Sequence, residues 1–150
     1  MPQNIIKCIY SVVYYSPVWE KTMGIIQKAT LPDADRVRVL GDATTEVAKK
    51  LGITSTQLAR ILGISQPSVS RLMAGRYQLN QHTKEWEMAV LLVRLFRSLF
   101  SIVGNNEQLT QDWLHSKNKA FNDQIPLDVI QKASGLVDAC AYLDAYRAKV

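Results

Sequence analysis

The amino-acid sequence predicts an all-α protein made of two helical parts, and three observations support this fold class. From Gly41 onward, apolar residues recur every three to four positions, which is the period of an amphipathic helix. Residues that favour helix starts (Asp, Ser or Thr) precede several of these apolar runs, and single glycines follow most of them. The chain has 150 residues, 47% of them hydrophobic, which suffices for one core or for two small ones.

Residues 1–41 are predicted to form an N-terminal arm whose structure the sequence does not specify. The run Ile5–Tyr15 is rich in β-branched residues and tyrosine, which favours a strand or an extended arm, and a short helix over 18–29 is a second possibility. Lys7 interrupts this run and no small-residue cleavage site follows it, so we do not interpret it as a secretory signal peptide. No function follows from this segment.

Two short helices are predicted next. Asp42 can cap a first helix that runs to Leu51. Thr54 and Gln57 have the spacing of a capping box, in which each side chain bonds the backbone of the other residue, and this begins a second helix. Gly63 ends that helix.

A third short helix is predicted to begin after a cap at Ser65, with Pro67 in its first turn. Together with the second helix it meets the demands of a helix-turn-helix unit over residues 55–72. Ala59 is the small residue needed where the helices cross, and Gly63 tolerates the positive φ of the turn. The apolar residues that clamp the later helix onto the earlier one are Leu58, Leu62, Ile64, Val69 and Leu72.

The charge distribution supports a helix-turn-helix DNA-binding domain over residues 42–83. The net charge is +5, and the excess lies between Thr44 and Lys84, where Glu46 is the sole acid. Such a block of one sign is expected of a phosphate-binding surface, although charge alone leaves a solvated basic face as an alternative. The basic residues of the block are Lys49, Lys50, Arg60, Arg71, Arg76 and Lys84.

In a helix-turn-helix unit the second helix enters the major groove, and its N-terminal half faces the base edges. The outward residues there are Gln66, Ser68, Ser70 and Arg71. Gln66 and Arg71 are the stronger candidates, because glutamine pairs with adenine and arginine with guanine through two hydrogen bonds each. A lone module of this size binds DNA weakly, so we expect a homodimer on paired half-sites about 34 Å apart. The residues predicted to contact phosphates are Ser55, Arg60, Arg76, Tyr77 and Lys84.

Residues 84–150 are predicted to form a second helical domain. After a polar linker over 77–83, a long helix runs over 84–103 and carries two apolar stripes, so it must be covered on two sides. It therefore serves as a core pillar or as a dimer seam. Three shorter helices are predicted to follow: Glu107–His115, Pro126–Ala133 and Leu136–Arg147.

Five motifs follow one another in the chain: QLARILGISQPSVSRLMAGRY, EWEMAVLLVRLFRSLFSIVG, WLHSKNKAF, QIPLDVI and GLVDACAYLDAYR. In this order they resemble the Xre/MbcA/ParS antitoxins, which are encoded with RES-domain toxins. The resemblance covers residues 42–149. Its first motif is shared by many regulators, whereas the later four, in this order and spacing, are far more specific.

The resemblance implies an Xre-like helix-turn-helix domain followed by a toxin-binding domain. It also implies an antitoxin that silences a toxin acting on NAD, by degradation or by modification of a target, and that represses its own operon. In such systems the end of the antitoxin lies at or near the NAD pocket of the toxin, where Arg147 and Lys149 could meet anionic groups. A solvated helix end is the alternative for those two residues. The toxin-binding residues implied by the motifs are Asn118, Phe121, Tyr142, Asp144, Arg147 and Lys149.

The sequence departs from the family pattern in one loop. Phe121 stands where a smaller aliphatic residue is expected, and residues 122–124 replace a glycine-rich turn. Trp113 and Pro126, which the same motifs include, are expected to be core and turn residues. The conformation of the loop is therefore left open by the resemblance.

The sequence favours a regulator over an enzyme. His82 and His115 are far apart, and neither lies at ligand spacing from other metal-binding residues, so no catalytic residue, metal or cofactor is expected. Cys8 and Cys140 match no metal or redox spacing, and a cytoplasmic location with no membrane association is expected. Expected partners are a cognate RES-domain toxin and operator DNA, in a toxin–antitoxin hetero-oligomer. A stand-alone repressor, or a toxin-neutralising protein with a vestigial DNA-reading unit, are the alternatives.

Overall fold

A computed structural model describes residues 32–148, so expectations for residues 1–31 and for Lys149 lie outside the described part. The described residues confirm the all-α class; their extended pairing is limited to an isolated bridge between Asn118 and Gln124. The helices are α1 (Asp33–Lys50), α2 (Ser55–Leu62), α3 (Gln66–Met73), α4 (Lys84–Ile102), α5 (Glu107–His115), a 3₁₀ turn (Lys119–Phe121), α6 (Pro126–Val129) and α7 (Ala133–Arg147).

Helix α1 begins at Asp33, so the predicted start at Asp42 is wrong. Pro32 precedes the first turn, where two aspartates favour the helix N-terminus electrostatically. Gly41 lies inside this helix and does not end it. The residue is buried close to α3, and a Cβ there would lie 3.4 Å from Leu72 Cδ1. The last turns of the predicted arm therefore belong to the first helix.

The predicted caps of α2 and α3 are confirmed. Thr54 Oγ1 accepts a hydrogen bond from Gln57 N at 3.3 Å, and Gln57 Oε1 accepts one from Thr54 N at 2.9 Å. Gly63 ends α2 with φ 71°, a conformation that glycine adopts without steric cost. Ser65 Oγ accepts from Ser68 N at 3.3 Å and caps α3.

We expect Thr54→Ala to lower the free energy of unfolding by about 1 kcal/mol, because it removes a capping side chain. Thermal or urea denaturation followed by circular dichroism measures the change. The matched control is Thr56→Ala, since Thr56 lies exposed on the same helix and is not its cap. Equal stability of the two variants would contradict a stabilising role for the capping box.

Helix α4 is the predicted core pillar. It packs against α1 and α2 on one side and against α7 on the other, and its residues Leu92, Leu95 and Leu99 are fully buried. The buried residues of the helix-turn-helix and of the C-terminal helices form one continuous cluster. The two functional parts therefore share a single core.

The predicted polar linker is a packed connection. Leu79 is fully buried, Asn80 N donates to Glu85 Oε1 at 2.9 Å, and Gln81 Nε2 donates to the Asp33 carbonyl oxygen at 3.1 Å. The predicted boundary between a DNA-binding domain and a second domain, at residues 83 and 84, therefore remains a proposal about function and does not separate two packed cores.

Helix α5 fastens the C-terminal part to the end of α1. Lys50 forms an ion pair with Glu107, and Gln111 Nε2 donates to the Lys50 carbonyl oxygen at 2.9 Å. His115 Nε2 lies 2.9 Å from the Leu51 carbonyl oxygen. The side chains of Gln111 and His115 thus bind carbonyls at the end of α1, where the helix offers them no partner of its own.

The end of the chain differs from the prediction in two helix bounds, the end of α6 and the start of α7, predicted at Ala133 and Leu136. Helix α6 ends at Val129, and α7 begins at Ala133, so Gly135 lies inside α7 and does not precede it. A Cβ on Gly135 would lie 2.1 Å from the Val129 carbonyl oxygen. Glycine is therefore needed at this position because α6 and α7 touch there.

Candidate DNA-reading and partner-binding surfaces

Helix α3 presents the predicted base-reading residues on its outer side. Gln66, Ser70 and Arg71 are exposed and Ser68 is half-buried. Val69 and Leu72 are buried against the rest of the fold. The structure thus brings the four candidates together, and their contacts with bases remain a prediction.

Gln66 lies beside the start of the preceding helix. Its Nε2 donates to Ser55 Oγ at 3.4 Å, and these two residues are the first of α3 and of α2. The N-termini of both helices therefore meet at one place, where the positive ends of the two helix dipoles favour a nearby phosphate. The side chains of Ser55 and Gln66 lie side by side, and their contacts with a phosphate and a base remain predictions.

Arg71 folds back along its own helix. Its Nε donates to the Pro67 carbonyl oxygen at 3.3 Å, and its Nη2 donates to Ser68 Oγ at 3.4 Å. Ser68 Oγ also lies 2.9 Å from Ser65 Oγ. The guanidinium is thereby held over the N-terminal half of α3, and Ser68 serves to orient it in the free protein.

The predicted phosphate contacts divide into two groups. Arg76 and Lys84 are exposed and suited to the role. Arg60 Nη1 instead donates to Gln131 Oε1 at 3.2 Å, in the turn between α6 and α7. A phosphate contact by Arg60 stays a prediction, and this bond does not preclude it, because a guanidinium has five N–H donors.

Tyr77 is placed unfavourably for its predicted phosphate contact. Its half-buried hydroxyl donates to the Glu85 carboxylate, with distances of 3.0 and 3.2 Å to the two oxygens. Burial raises the pKa of this hydroxyl, and the hydrogen bond to Glu85 raises it further. Since the donor is already engaged by a carboxylate, we leave Tyr77 out of the proposed DNA contacts.

Five apolar side chains form a partly exposed surface on the C-terminal part, which we call the aromatic strip. The ring centroids of Trp113 and Phe121 are 5.9 Å apart, and those of Phe121 and Tyr142 are 5.6 Å apart, both in edge-to-face geometry. Leu109 and Tyr146 extend the strip at either end, because each lies one helical turn from its neighbour. They are 49% and 50% exposed.

The strip contains two of the predicted toxin-binding residues, Phe121 and Tyr142. Leu109 and Tyr146 are not among the predicted residues. Trp113, which the sequence predicts to be a core residue, packs against the core but is only half-buried, so that it also belongs to the strip. The spacing of Tyr142 and Tyr146, four apart on one helix, is a signal that could have indicated the surface.

The other predicted toxin-binding residues have different placements. Asn118 Oδ1 accepts from Ala120 N at 3.0 Å and so caps the 3₁₀ turn. Asp144 turns inward, where it pairs with Arg94 and accepts from Ser98 Oγ at 2.9 Å. Arg147 is exposed at the end of α7, and Lys149 lies outside the described residues. The placements of Asn118 and Asp144 favour structural roles over direct contact.

Residues 32–148 contain no group of three or more His, Cys, Asp or Glu side chains arranged to hold a metal ion. Within the same part of the chain, no helix combines the length and the apolar character needed to cross a membrane.

Two family models match the chain. An antitoxin Xre-like helix-turn-helix domain matches residues 30–94, and an antitoxin Xre/MbcA/ParS C-terminal toxin-binding domain matches residues 98–149. The fold is also similar to that of a chain in the crystal structure of the M. tuberculosis MbcT-MbcA toxin-antitoxin complex. That similarity has a TM-score of 0.57 and 22% identity and covers 76% of this chain and 98% of that chain. No protein of curated function matches in sequence.

Together the two family matches cover more than half of the chain, and they occur in the order that the structure gives the two parts. Both describe domains of antitoxins, which are non-enzymatic regulators. The chain therefore belongs to the Xre/MbcA/ParS family of antitoxins of toxin–antitoxin systems.

Proposed function

We propose that this antitoxin neutralises a cognate RES-domain toxin through its C-terminal part and represses its own operon through its helix-turn-helix. The observation that carries the proposal is the presence of two separate surfaces on one shared core. One is the exposed side of α3, and the other is the aromatic strip, which lies within the matched toxin-binding region.

The chemistry of the aromatic strip supports a protein partner. Tyrosine and tryptophan are enriched at the energetic centres of protein interfaces, because they combine large apolar area with a polar group. Contiguous exposed apolar side chains are unusual on monomers and indicate an interaction site. In the proposed complex the strip supplies the apolar centre of the toxin interface.

The end of α7 supplies the charge in this proposal. Arg147 is exposed there, and Lys149 follows two residues later in the sequence. A toxin that acts on NAD needs a pocket for the phosphates of its substrate, and a guanidinium or ammonium group can occupy such a pocket. We infer that the C-terminal end blocks access of NAD to the toxin.

Operator binding is proposed to use α3 in the major groove of each half-site. Gln66 and Arg71 read bases, while Ser55, Arg76 and Lys84 hold phosphates. Because one such module binds weakly, the binding unit is proposed to be a homodimer, either free or assembled with the toxin.

Co-expression with the toxin encoded beside the antitoxin tests the main function. The antitoxin is expected to restore growth and to co-purify with the toxin. The proposal fails if the toxin still stops growth and does not co-purify with an antitoxin that is present at equal level. A stand-alone repressor, the second candidate, would give that result and would still bind its operator.

We expect Arg71→Ala to weaken binding to the operator by about 5- to 150-fold and to relax the preference at one base pair, since it removes a two-bond contact. Fluorescence anisotropy with operator variants at fixed salt measures both effects. The matched control is Arg38→Ala, which removes an exposed arginine from α1. Unchanged affinity and unchanged base preference for Arg71→Ala would refute its role as a reader.

A further inference from the structure

Helix α7 carries apolar residues on both its buried and its exposed side. Hydrophobic burial therefore discriminates weakly between different rotations of this helix about its own axis. A specific rotation needs additional contacts that only one orientation satisfies. The buried side consists of Leu136, Ala139, Cys140 and Leu143, and the solvent side includes Val137, Ala141 and Ala145.

The carboxylate of Asp144 provides such contacts with α4. It accepts a hydrogen bond from Ser98 Oγ at 2.9 Å and forms an ion pair with Arg94. Ser98 is 2% exposed, so its hydroxyl has no access to water in place of this partner. A rotation of α7 would leave this buried hydroxyl without its acceptor, which costs free energy. Specifying one arrangement is the best-attested use of partly buried charged groups.

A second contact depends on the same rotation. Cys140 lies one helical turn before Asp144, and its Sγ donates to the Leu91 carbonyl oxygen at 3.4 Å. The side chain is 3% exposed, and burial raises the pKa of the thiol to about 11. Because a buried, protonated thiol reacts slowly, Cys140 reports on whether α7 keeps its orientation.

The orientation of α7 decides the shape of the aromatic strip. Tyr142 contacts Phe121, which belongs to the 3₁₀ turn and not to α7. A rotation of α7 would carry Tyr142 away from Phe121 and move Tyr146 with it. The strip is therefore continuous only when Asp144 faces α4.

We propose that Ser98 and Arg94 are positioning residues for toxin binding: through Asp144 they fix the rotation of α7 and so assemble the aromatic strip. This inference rests on the proposed function of the strip. It assigns an indirect role to Asp144, which the sequence motif had suggested as a direct contact, and it gives roles to two residues of the long helix.

The decisive variant is Ser98→Ala, because a buried side chain cannot touch the toxin. We expect it to weaken toxin binding by about 2- to 12-fold, as for the loss of one hydrogen bond. Asp144→Leu is expected to weaken binding at least about tenfold, and Ser98→Ala added to it should cause no further loss. The affinities are measured by calorimetry with the full-length antitoxin and the toxin, and operator binding is measured on the same preparations.

The matched control is Ser101→Ala, an exposed serine on the same helix, which should leave toxin binding unchanged. In a Cys8→Ser background, alkylation of Cys140 should be faster in Ser98→Ala and Asp144→Leu than in the parent protein. Operator affinity should stay the same in all variants, which shows that the fold persists. If Asp144→Leu does not fold, Ser98→Ala decides the question alone.

Toxin binding by Ser98→Ala equal to that of the parent would overturn the positioning role. The positioning role would also be overturned if toxin affinity falls in these variants while Cys140 is alkylated no faster than in the parent protein. If the parent protein itself fails to bind the toxin, the proposed function is wrong, and this outcome is distinct from the other two.

Discussion

Gly135→Ala is expected to lower the free energy of unfolding by about 3 kcal/mol, at the upper end of the usual cost of inserting a methyl group into a packed site. The new Cβ would lie 2.1 Å from the carbonyl oxygen of Val129 and 2.8 Å from its carbonyl carbon. Backbone atoms cannot rotate away as a flexible side chain can, so α6 and α7 must separate. Urea denaturation followed by circular dichroism measures the loss.

The matched control for this change is Ser134→Ala, since Ser134 is the preceding residue of the same helix and is exposed. Alanine favours a helix over both serine and glycine, so propensity alone would stabilise both variants. Only the contact with Val129 makes Gly135→Ala destabilising. A Gly135→Ala protein as stable as the parent would contradict the close approach of α6 and α7.

Tyr142→Ala is expected to weaken toxin binding by about 30-fold or more, which corresponds to the loss of an energetic centre of an interface. Tyr142 follows Phe121 in the aromatic strip, one helical turn before Tyr146, and its ring packs edge-on against Phe121. Its removal takes away contact area and leaves the Phe121 ring without one neighbour. Calorimetric titration with the toxin measures the affinity.

Met73→Ala is the control for Tyr142→Ala. Met73 is a large, exposed apolar side chain at the end of α3, outside the strip. Its truncation should leave toxin binding unchanged. If both variants bind the toxin as the parent does, the strip is not the toxin interface.

The helix-turn-helix could be predicted from sequence because its determinants are local. A capping box, a serine cap and a glycine with positive φ each act within a few residues of the chain. The apolar spacing then assigned Val69 and Leu72 to the inside of α3, and the structure buries both. Because these two residues face inward, the remaining residues of α3 could be predicted to face outward.

The C-terminal placements could not be predicted because they depend on distant partners. Asp144 is turned inward by Ser98, 46 residues away, and Arg60 is engaged by Gln131, 71 residues away. The sequence shows only an acid on a helix and an arginine in a basic block. The need for glycine at Gly135 could not be predicted either, because it depends on the contact with Val129, which the folded structure alone reveals.

The loop that departs from the family pattern has a physical explanation. Asn122 and Asp123 adopt φ values of 55° and 59°, in the left-handed region where asparagine and aspartate replace glycine at least cost. Phe121, which is larger than expected, places its ring between Trp113 and Tyr142. The two departures thus preserve the turn and complete the aromatic strip.

The most direct test of two separate binding surfaces on one core compares two double variants, each assayed against both ligands. Tyr142→Ala/Tyr146→Ala alters the strip, and Gln66→Ala/Arg71→Ala alters α3. We expect the first to lose toxin binding while keeping the operator affinity of the parent, and the second to do the reverse. The proposal is contradicted if either double variant loses both toxin binding and operator binding. It is also contradicted if both double variants keep both activities.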